Sequence, residues 1–170
     1  MKAWQLRALA PGLLILSLLI GCGNAADEGP VTSNSAAPGP EAFTVYKQPT
    51  CGCCVEWMSH VNAAGMETIG KDLEDLNAVK MQYQIAPRYQ SCHTAVSSHG
   101  YVFEGHVPAR HIKAFLANPP ADAIGLAVPG MPLGSPGMEV GSRFDPYEVL
   151  LLKKDGSSEV FARVDSPAQQ

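Results

Sequence analysis

The chain has 170 residues, a formal net charge of −4 and a hydrophobic fraction of 46%. Its lysines and arginines are scattered and form no basic run, so the composition argues against a nucleic-acid-binding protein. The length is enough for one packed domain after removal of an export signal. The five cysteines are the residues most informative about function.

The N-terminal segment has the pattern of an export signal. Lys2 and Arg7 precede a short apolar run that ends in LIGC, the last letter being Cys22. A charged region, a short apolar region and a small residue before a cleavage point are typical of a secretory signal peptide. The LIGC tetrapeptide resembles the bacterial lipobox, in which the cysteine is lipidated. We therefore predict a signal peptide at residues 1–21 and lipidation of Cys22; a signal that is not lipidated is the alternative.

The region after Cys22 sets the expected location and domain boundaries. Gly23 in place of Asp is typical of sorting to the outer membrane, so we expect a lipoprotein on the periplasmic side of a bacterial membrane. Residues 22–41 are rich in Ala, Gly, Pro and Ser and are predicted to be a flexible tether. The folded domain is predicted at residues 42–165, and residues 166–170 are predicted to be a frayed tail.

Hydrophobic periodicity and turn residues predict the order β-α-β-α-β-β-α, which is that of the thioredoxin fold. The predicted fold class is α/β (α+β), thioredoxin-like, with a Gly/Pro/Met-rich loop at residues 124–141 and a C-terminal β-hairpin. In chain order the elements are a strand at 43–47, a helix from about residue 55 to Gly65, a strand at 67–69, a helix N-capped by Asp72 and stopped before Pro87, strands at 94–97 and 101–104, a helix between Pro108 and Asn118, and hairpin strands at 147–153 and 159–164.

Three cysteines stand at the predicted turn from the first strand to the first helix, in Cys51-Gly52-Cys53-Cys54. Thiols there lie near the unpaired N–H groups of the helix start, where the helix dipole favours the thiolate. Thiolate attacks disulfides and binds soft metals. Cys51 and Cys54 have the spacing of a thioredoxin redox pair. Cys53 adds a competing thiol, which suits disulfide exchange poorly and suits metal bridging well.

Cys92 is predicted to face these three cysteines. When residues 94–96 are aligned with the third thioredoxin strand, Cys92 and His93 fall where such proteins carry a residue followed by a cis-proline. That element lies over the Cys-x-x-Cys pair, so the four sulfurs would form one pocket. Three sulfurs within four residues crowd a single structural zinc but suit Cu(I), since thiolates bridge adjacent copper ions.

Other soft or nitrogen donors are candidates for the same site. Met131 and Met138 lie on no helical or strand stripe, and we expect the loop that carries them to be a lid that is mobile without metal. A core role for either methionine is the alternative. His106, at the end of a strand, is the best histidine ligand. His93 follows Cys92 on a predicted strand, where neighbours point to opposite faces, so it is as suited to supporting the backbone as to binding metal.

Six segments carry a resemblance to a known family: residues 46–54 with the CGCC motif, SCHTA at 91–95, EGHVP at 104–108, GLAVPGMP at 125–132, GSPGME at 134–139 and DPY at 145–147. Together they resemble the bacterial CopG copper-resistance family, an exported thioredoxin-like group, over about residues 43–164. The resemblance implies a periplasmic protein that holds a small cysteine-bridged copper cluster, is linked to copper tolerance and cycles between Cu(I) and Cu(II). The matched metal ligands are Cys51, Cys53, Cys54 and Cys92, and His106, Met131 and Met138 are carried over with them.

The sequence therefore predicts a lipid-anchored protein that holds more than one Cu(I), with copper ions and envelope copper-handling proteins as partners and no nucleic acid. Whether it turns over as an enzyme stays open. The alternative function is a thiol–disulfide oxidoreductase, with Cys51 as nucleophile and Cys54 as resolving cysteine. A third hypothesis is a module stapled by two disulfides that binds another envelope protein.

Overall fold

The computed structural model describes residues 41–170. The predicted signal peptide, Cys22 and all but the last residue of the predicted tether lie outside the described residues. Within residues 41–170, no helix is both long enough and apolar enough to span a lipid bilayer.

The described residues form seven strands and three α-helices, with 3₁₀ turns at Pro87–Tyr89 and Pro167–Gln169. In chain order the main elements are β1 (Ala42–Lys47), α1 (Gly52–Ala63), β2 (Glu67–Asp72), α2 (Asn77–Gln82), β3 (His93–Ser97), β4 (Val102–Glu104), α3 (Ala109–Ala117), β5 (Ala123–Ala127), β6 (Tyr147–Lys153) and β7 (Ser158–Val164).

All seven strands join one mixed sheet in the order β2-β1-β3-β4-β5-β6-β7. The pairs β1–β2 and β4–β5 are parallel, and the other neighbours are antiparallel. The predicted α+β class is thus confirmed. The block β2-β1-β3-β4 is compatible with the predicted thioredoxin-like core, and the predicted terminal hairpin is present as β6 and β7.

Strand alternation gives the sheet two buried faces. On one face, Phe43, Val45 and Phe103 pack against Trp57 of α1 and against α3. The opposite face is a smaller cluster under α2 and the Pro87–Tyr89 turn, formed by Ile85, Tyr89, Val96, Val102, Ala127 and Leu152. The cysteine-bearing end of α1 therefore lies on the larger face.

The second predicted helix is shorter than the sequence pattern indicated, and its predicted N-cap is wrong. Asp72 ends β2 because residues 67–72 pair in parallel with β1, and its carboxylate binds Lys47 Nζ at 2.6 Å. The helix begins only at Asn77, whose N–H donates to Asp75 Oδ1 at 2.9 Å.

The start of the predicted loop is a strand. Residues 123–127 form β5, which lies between β4 and β6, so the irregular segment spans residues 128–146. Gly125 has a φ of +153°, and a Cβ there would lie 1.8 Å from the carbonyl oxygen of Val102. Glycine therefore permits the close approach of β5 to β4. Because glycine is also typical of loops, the sequence pattern assigned this strand to the loop.

The C-terminal residues contact the folded domain, whereas the sequence predicts a frayed tail. Ser166 caps the Pro167–Gln169 turn, and the Gln170 side chain donates to the carbonyl of Gly134 and to the Tyr147 hydroxyl. These hydrogen bonds hold the last residues against the 128–146 loop.

Candidate metal centre

Four sulfur atoms converge where α1 begins. Cys51 is the N-cap of α1, Cys53 and Cys54 lie in its first turn, and Cys92 lies in the bend before β3. The Cys51 and Cys53 sulfurs are 3.6 Å apart, the Cys54 and Cys92 sulfurs are also 3.6 Å apart, and all four lie within 4.8 Å of one another. The four predicted cysteines are thus brought together.

The four cysteines are not all thiols in this structure. Cys51 and Cys54 are joined by a disulfide, whereas Cys53 and Cys92 are free. The pair with thioredoxin spacing is therefore able to form a disulfide inside the sulfur cluster. Reduction of this bond would return four thiols to the site.

Cys92 also belongs to a second donor group. Its sulfur lies 3.0 Å from His106 Nε2 and 3.3 Å from His93 Nδ1. The potential ligand atoms of these three residues lie within 4.8 Å of one another. Cys92 therefore joins the sulfur cluster to a pair of buried imidazoles.

His106 has the hydrogen bonding expected of a ligand. It follows Gly105, whose φ of +71° turns the chain at the end of β4. Its Nδ1–H donates to the carbonyl oxygen of Pro136 at 2.8 Å, which leaves the lone pair of Nε2 directed at Cys92. Burial lowers the pKa of His106, which favours the neutral ring. Histidine ligands commonly donate their second N–H to a backbone carbonyl in this way.

His93 reaches the site, although strand alternation favoured metal binding no more than support of the backbone. Cys92 lies before β3 begins, so the rule that neighbours on a strand face opposite ways does not apply to this pair. The His93 ring packs on Trp57, and its Nε2 is buried without a hydrogen-bond partner among residues 41–170. Burial lowers its pKa well below the usual value. The adjacency of Cys and His was the only sequence signal for this residue.

Burial, followed by the nearby Cys53, raises the pKa of the Cys92 thiol to about 12. The metal-free thiol is therefore protonated at neutral pH and donates to His106 Nε2. A protonated thiol is a poor nucleophile, and a metal must displace its proton to bind. Cys92 thus suits metal ligation better than attack on a disulfide.

The 128–146 loop lies over this site and is held to it at three places. Ser91 Oγ donates to the Gly130 carbonyl, and His106 donates to the Pro136 carbonyl. At Gly137, where φ is +86°, a Cβ would lie 2.6 Å from the Cys53 carbonyl oxygen. The loop is thus packed against the site, and its mobility without metal stays a prediction.

Met131 and Met138 lie on either side of the buried centre of this loop. The Met131 side chain is 51% exposed, and Met138 is half-buried. The Met138 carbonyl accepts the Gly134 N–H at 2.9 Å, and the Met138 N–H donates to the Ser135 carbonyl at 2.7 Å. Their role as thioether ligands stays a prediction.

The donor chemistry fits copper. Among the described residues, the two close groups of potential ligands contain only cysteine and histidine and no carboxylate. Thiolate sulfur selects Cu(I), imidazole nitrogen binds copper in both common oxidation states, and Mg²⁺ or Ca²⁺ would require oxygen ligands.

Comparisons with known proteins agree with this chemistry. A family profile described as "Protein of unknown function, DUF411" matches residues 89–138, which include Cys92, His93 and His106. Two solved structures, titled copper resistance protein CopG form 1 and form 2, are each 42% identical to the chain, with a TM-score of 0.69. The match covers 74% of this chain and 98% of each of those chains. No curated protein sequence matches.

Proposed function

The chain belongs to the CopG copper-resistance family, and from this premise we propose that it binds copper as Cu(I) and acts in copper resistance. The observation that carries the proposal is the convergence of four cysteine sulfurs with no carboxylate in the cluster. In the reduced protein, Cys51, Cys53, Cys54 and Cys92 hold the metal, and bridging thiolates allow more than one ion. His106 completes the site through Nε2, with His93 beside it.

Copper capacity depends on the redox state of one cysteine pair. The disulfide between Cys51 and Cys54 removes two of the four thiolates, leaving Cys53, Cys92 and the two imidazoles. A site with fewer thiolates and the same nitrogens is less selective for Cu(I). Reduction of the disulfide by two electrons therefore favours Cu(I) binding, and its formation favours release.

Titration of the reduced, metal-free protein with Cu(I) against a competing chelator tests the proposal. More than one Cu(I) per chain is expected, with protons released as the thiols ionise. An endpoint at one copper would overturn the cluster, and no binding would overturn the copper function.

A second function has its own support in the Cys51–Cys54 disulfide at the start of α1. As an oxidoreductase, the Cys51 thiolate would attack a substrate disulfide and release one substrate thiolate. Cys54 would then attack Cys51, close the disulfide and release the second. Cys53, 3.6 Å from Cys51, would compete at each step.

Cys53→Ser distinguishes the two functions. The oxidoreductase keeps Cys51 and Cys54 and should retain disulfide exchange, whereas the copper cluster loses a bridging ligand and its affinity should fall by orders of magnitude. Intact copper affinity in this variant, together with loss of disulfide exchange in Cys51→Ser, would reverse the ranking.

A further inference from the structure

Two oppositely charged side chains are buried on the face of the sheet away from α1. Lys80 of α2 is 4% exposed, and Glu104 of β4 is fully buried. Lys80 Nζ binds Glu104 Oε1 and also donates to Thr94 Oγ1 at 3.2 Å. We call Lys80, Thr94 and Glu104 the buried network. None of them belongs to the proposed metal centre.

The buried network holds both sides of Cys92 and His93. Glu104 Oε1 accepts the backbone N–H of Ser91 at 2.7 Å, and Oε2 accepts the Thr94 hydroxyl at 2.6 Å. Ser91 directly precedes Cys92, and Thr94 directly follows His93. One carboxylate therefore fixes the chain before and after the two residues that face the sulfur cluster.

The same carboxylate links this segment to the one that carries His106. Glu104 pairs with Thr94 in the β3–β4 ladder, and Gly105 and His106 follow it. A Cβ on Gly105 would lie 2.6 Å from the side chain of Ser91, and the Gly105 N–H donates to the His93 carbonyl at 3.0 Å, so the two segments are in direct contact. The 3.0 Å approach of Cys92 Sγ to His106 Nε2 depends on this register.

Net stability is a weak reason for the buried network. The desolvation cost of a buried ion pair commonly cancels its attraction, and apolar residues of similar volume often replace such a pair without loss. The specific effect of Glu104 is therefore the geometry imposed by its hydrogen bonds to Ser91 and Thr94.

We propose that Glu104, with Lys80 as its counter-ion and Thr94 as its second partner, is a positioning residue for Cys92. It acts from the opposite face of the sheet and holds the Cys92 sulfur between Cys54 and His106. The inference rests on the proposed function, because the purpose of this placement is Cu(I) binding.

A double-mutant cycle on Cu(I) affinity tests the proposal in the reduced full chain. Lys80→Met with Glu104→Leu replaces the ion pair by apolar side chains. Lys80→Met with Glu104→Gln removes the charges but keeps a side chain able to bond with Ser91 and Thr94.

The apolar variant should lose about as much Cu(I) affinity as Cys92→Ser. The apolar variant combined with Cys92→Ser should lose little more. The expected non-additivity is therefore about the whole effect of Cys92→Ser, at least about tenfold or about 1.4 kcal/mol. The Gln variant should recover most of the affinity, and Lys153→Met with Glu159→Leu, an exposed pair on β6 and β7, should behave as wild type.

A second measurement needs no copper. In a Cys53→Ser background with the Cys51–Cys54 disulfide intact, Cys92 is the one free thiol among residues 41–170. Its alkylation by iodoacetamide, followed by mass spectrometry of the Cys92 peptide, should be several-fold faster in the apolar variant and restored in the Gln variant. Additive copper losses with unchanged alkylation would overturn the positioning role. If the wild type binds no Cu(I), the proposed function fails, and the alkylation rates alone decide the inference.

Discussion

At the scale of single residues, the two ring nitrogens of His106 have different tasks. Nδ1–H is held by the Pro136 carbonyl, and Nε2 faces the Cys92 sulfur. His106→Gln should therefore lower Cu(I) affinity by about tenfold or more, since neither a ligand nor its orientation survives. Competition titration measures the change. His111→Gln is the control, because His111 lies on α3 and contacts the Gln169 carbonyl. Equal Cu(I) affinity in the two variants would show that His106 is not a ligand.

The two loop methionines give a separate test of thioether ligation. Met131→Leu combined with Met138→Leu preserves size and apolarity, so the metal-free protein should keep its unfolding free energy within about 1.5 kcal/mol. Cu(I) affinity should fall, and Cu(II) affinity should change little, because thioethers are soft donors. Unchanged Cu(I) affinity with a large loss of stability would show that these side chains serve packing.

At the scale of elements, the 128–146 loop packs on α1 at Gly137, and one methyl group added there should push the loop away from the helix. Gly137→Ala would place a Cβ 2.6 Å from the Cys53 carbonyl oxygen and 2.7 Å from the backbone nitrogen of Trp57. A Cβ in Gly130→Ala would meet nothing within 4 Å. Both glycines have positive φ, so both variants carry backbone strain of about 1 kcal/mol. Gly137→Ala should lose a further ~1–3 kcal/mol from the clash and should also bind Cu(I) more weakly. Urea unfolding of both variants, with copper titration, measures the difference; equal losses would show that the loop does not pack on α1.

Elements with a strong local signal were predictable, and those defined by tertiary contacts were not. Alternation in β1, β6 and β7 and the cysteine turn before α1 are local features, and the sequence located them well. The strand β5 was not predictable, because its glycine resembles loop sequence. Gly125 is needed there only because the Val102 backbone of β4 packs against it, and that contact joins residues distant in sequence. Asp72 resembles a helix cap in sequence, but its pairing with Lys47 places it in β2.

The same distinction applies to the candidate metal centre. The cysteine spacing identified the sulfur cluster, and the position of His106 at a strand end identified the first imidazole. His93 required knowledge that the chain bends before β3, and the buried network required the register of β3 against β4. Neither is encoded in the spacing of residues along the chain.

At the scale of the whole molecule, we propose that the chain is held at a membrane by lipid on Cys22, which lies outside the described residues. A single acyl chain binds membranes only marginally, whereas several bind firmly. Cys22→Ser should therefore move the protein from the membrane fraction of the envelope to the soluble fraction, with Cu(I) binding unchanged. Fractionation measures the location of the protein, intact mass measures the lipid, and titration measures Cu(I) binding. Wild-type protein that is mainly soluble and has no lipid mass would refute lipidation.

The stability of the metal-free domain should depend on pH through buried groups inside the proposed metal centre and through others outside it. Burial lowers the pKa of His60 and His111 below the ordinary 6.5, partly opposed by Glu139 at His60 and by the Gln169 carbonyl at His111. The unfolded chain then binds more protons, so stability should fall as the pH drops below about 6.5, by at most about 1.4 kcal/mol per pH unit for each histidine. Burial raises the pKa of Tyr147 above the ordinary 10.0 despite the hydrogen bond from Gln170.

Because the unfolded chain loses the Cys92 and Tyr147 protons first, stability should also fall as the pH rises above about 9. Urea unfolding of the metal-free protein at pH 5.5, 7.5 and 10.5 should give the largest free energy at pH 7.5. His60→Gln keeps an acceptor for the Ala109 N–H, which His60 Nε2 accepts at 3.0 Å, and should reduce the acid loss alone. Tyr147→Phe should reduce the alkaline loss alone. A variant that changed both limbs equally would show that the pH dependence comes from general charge and not from these buried groups.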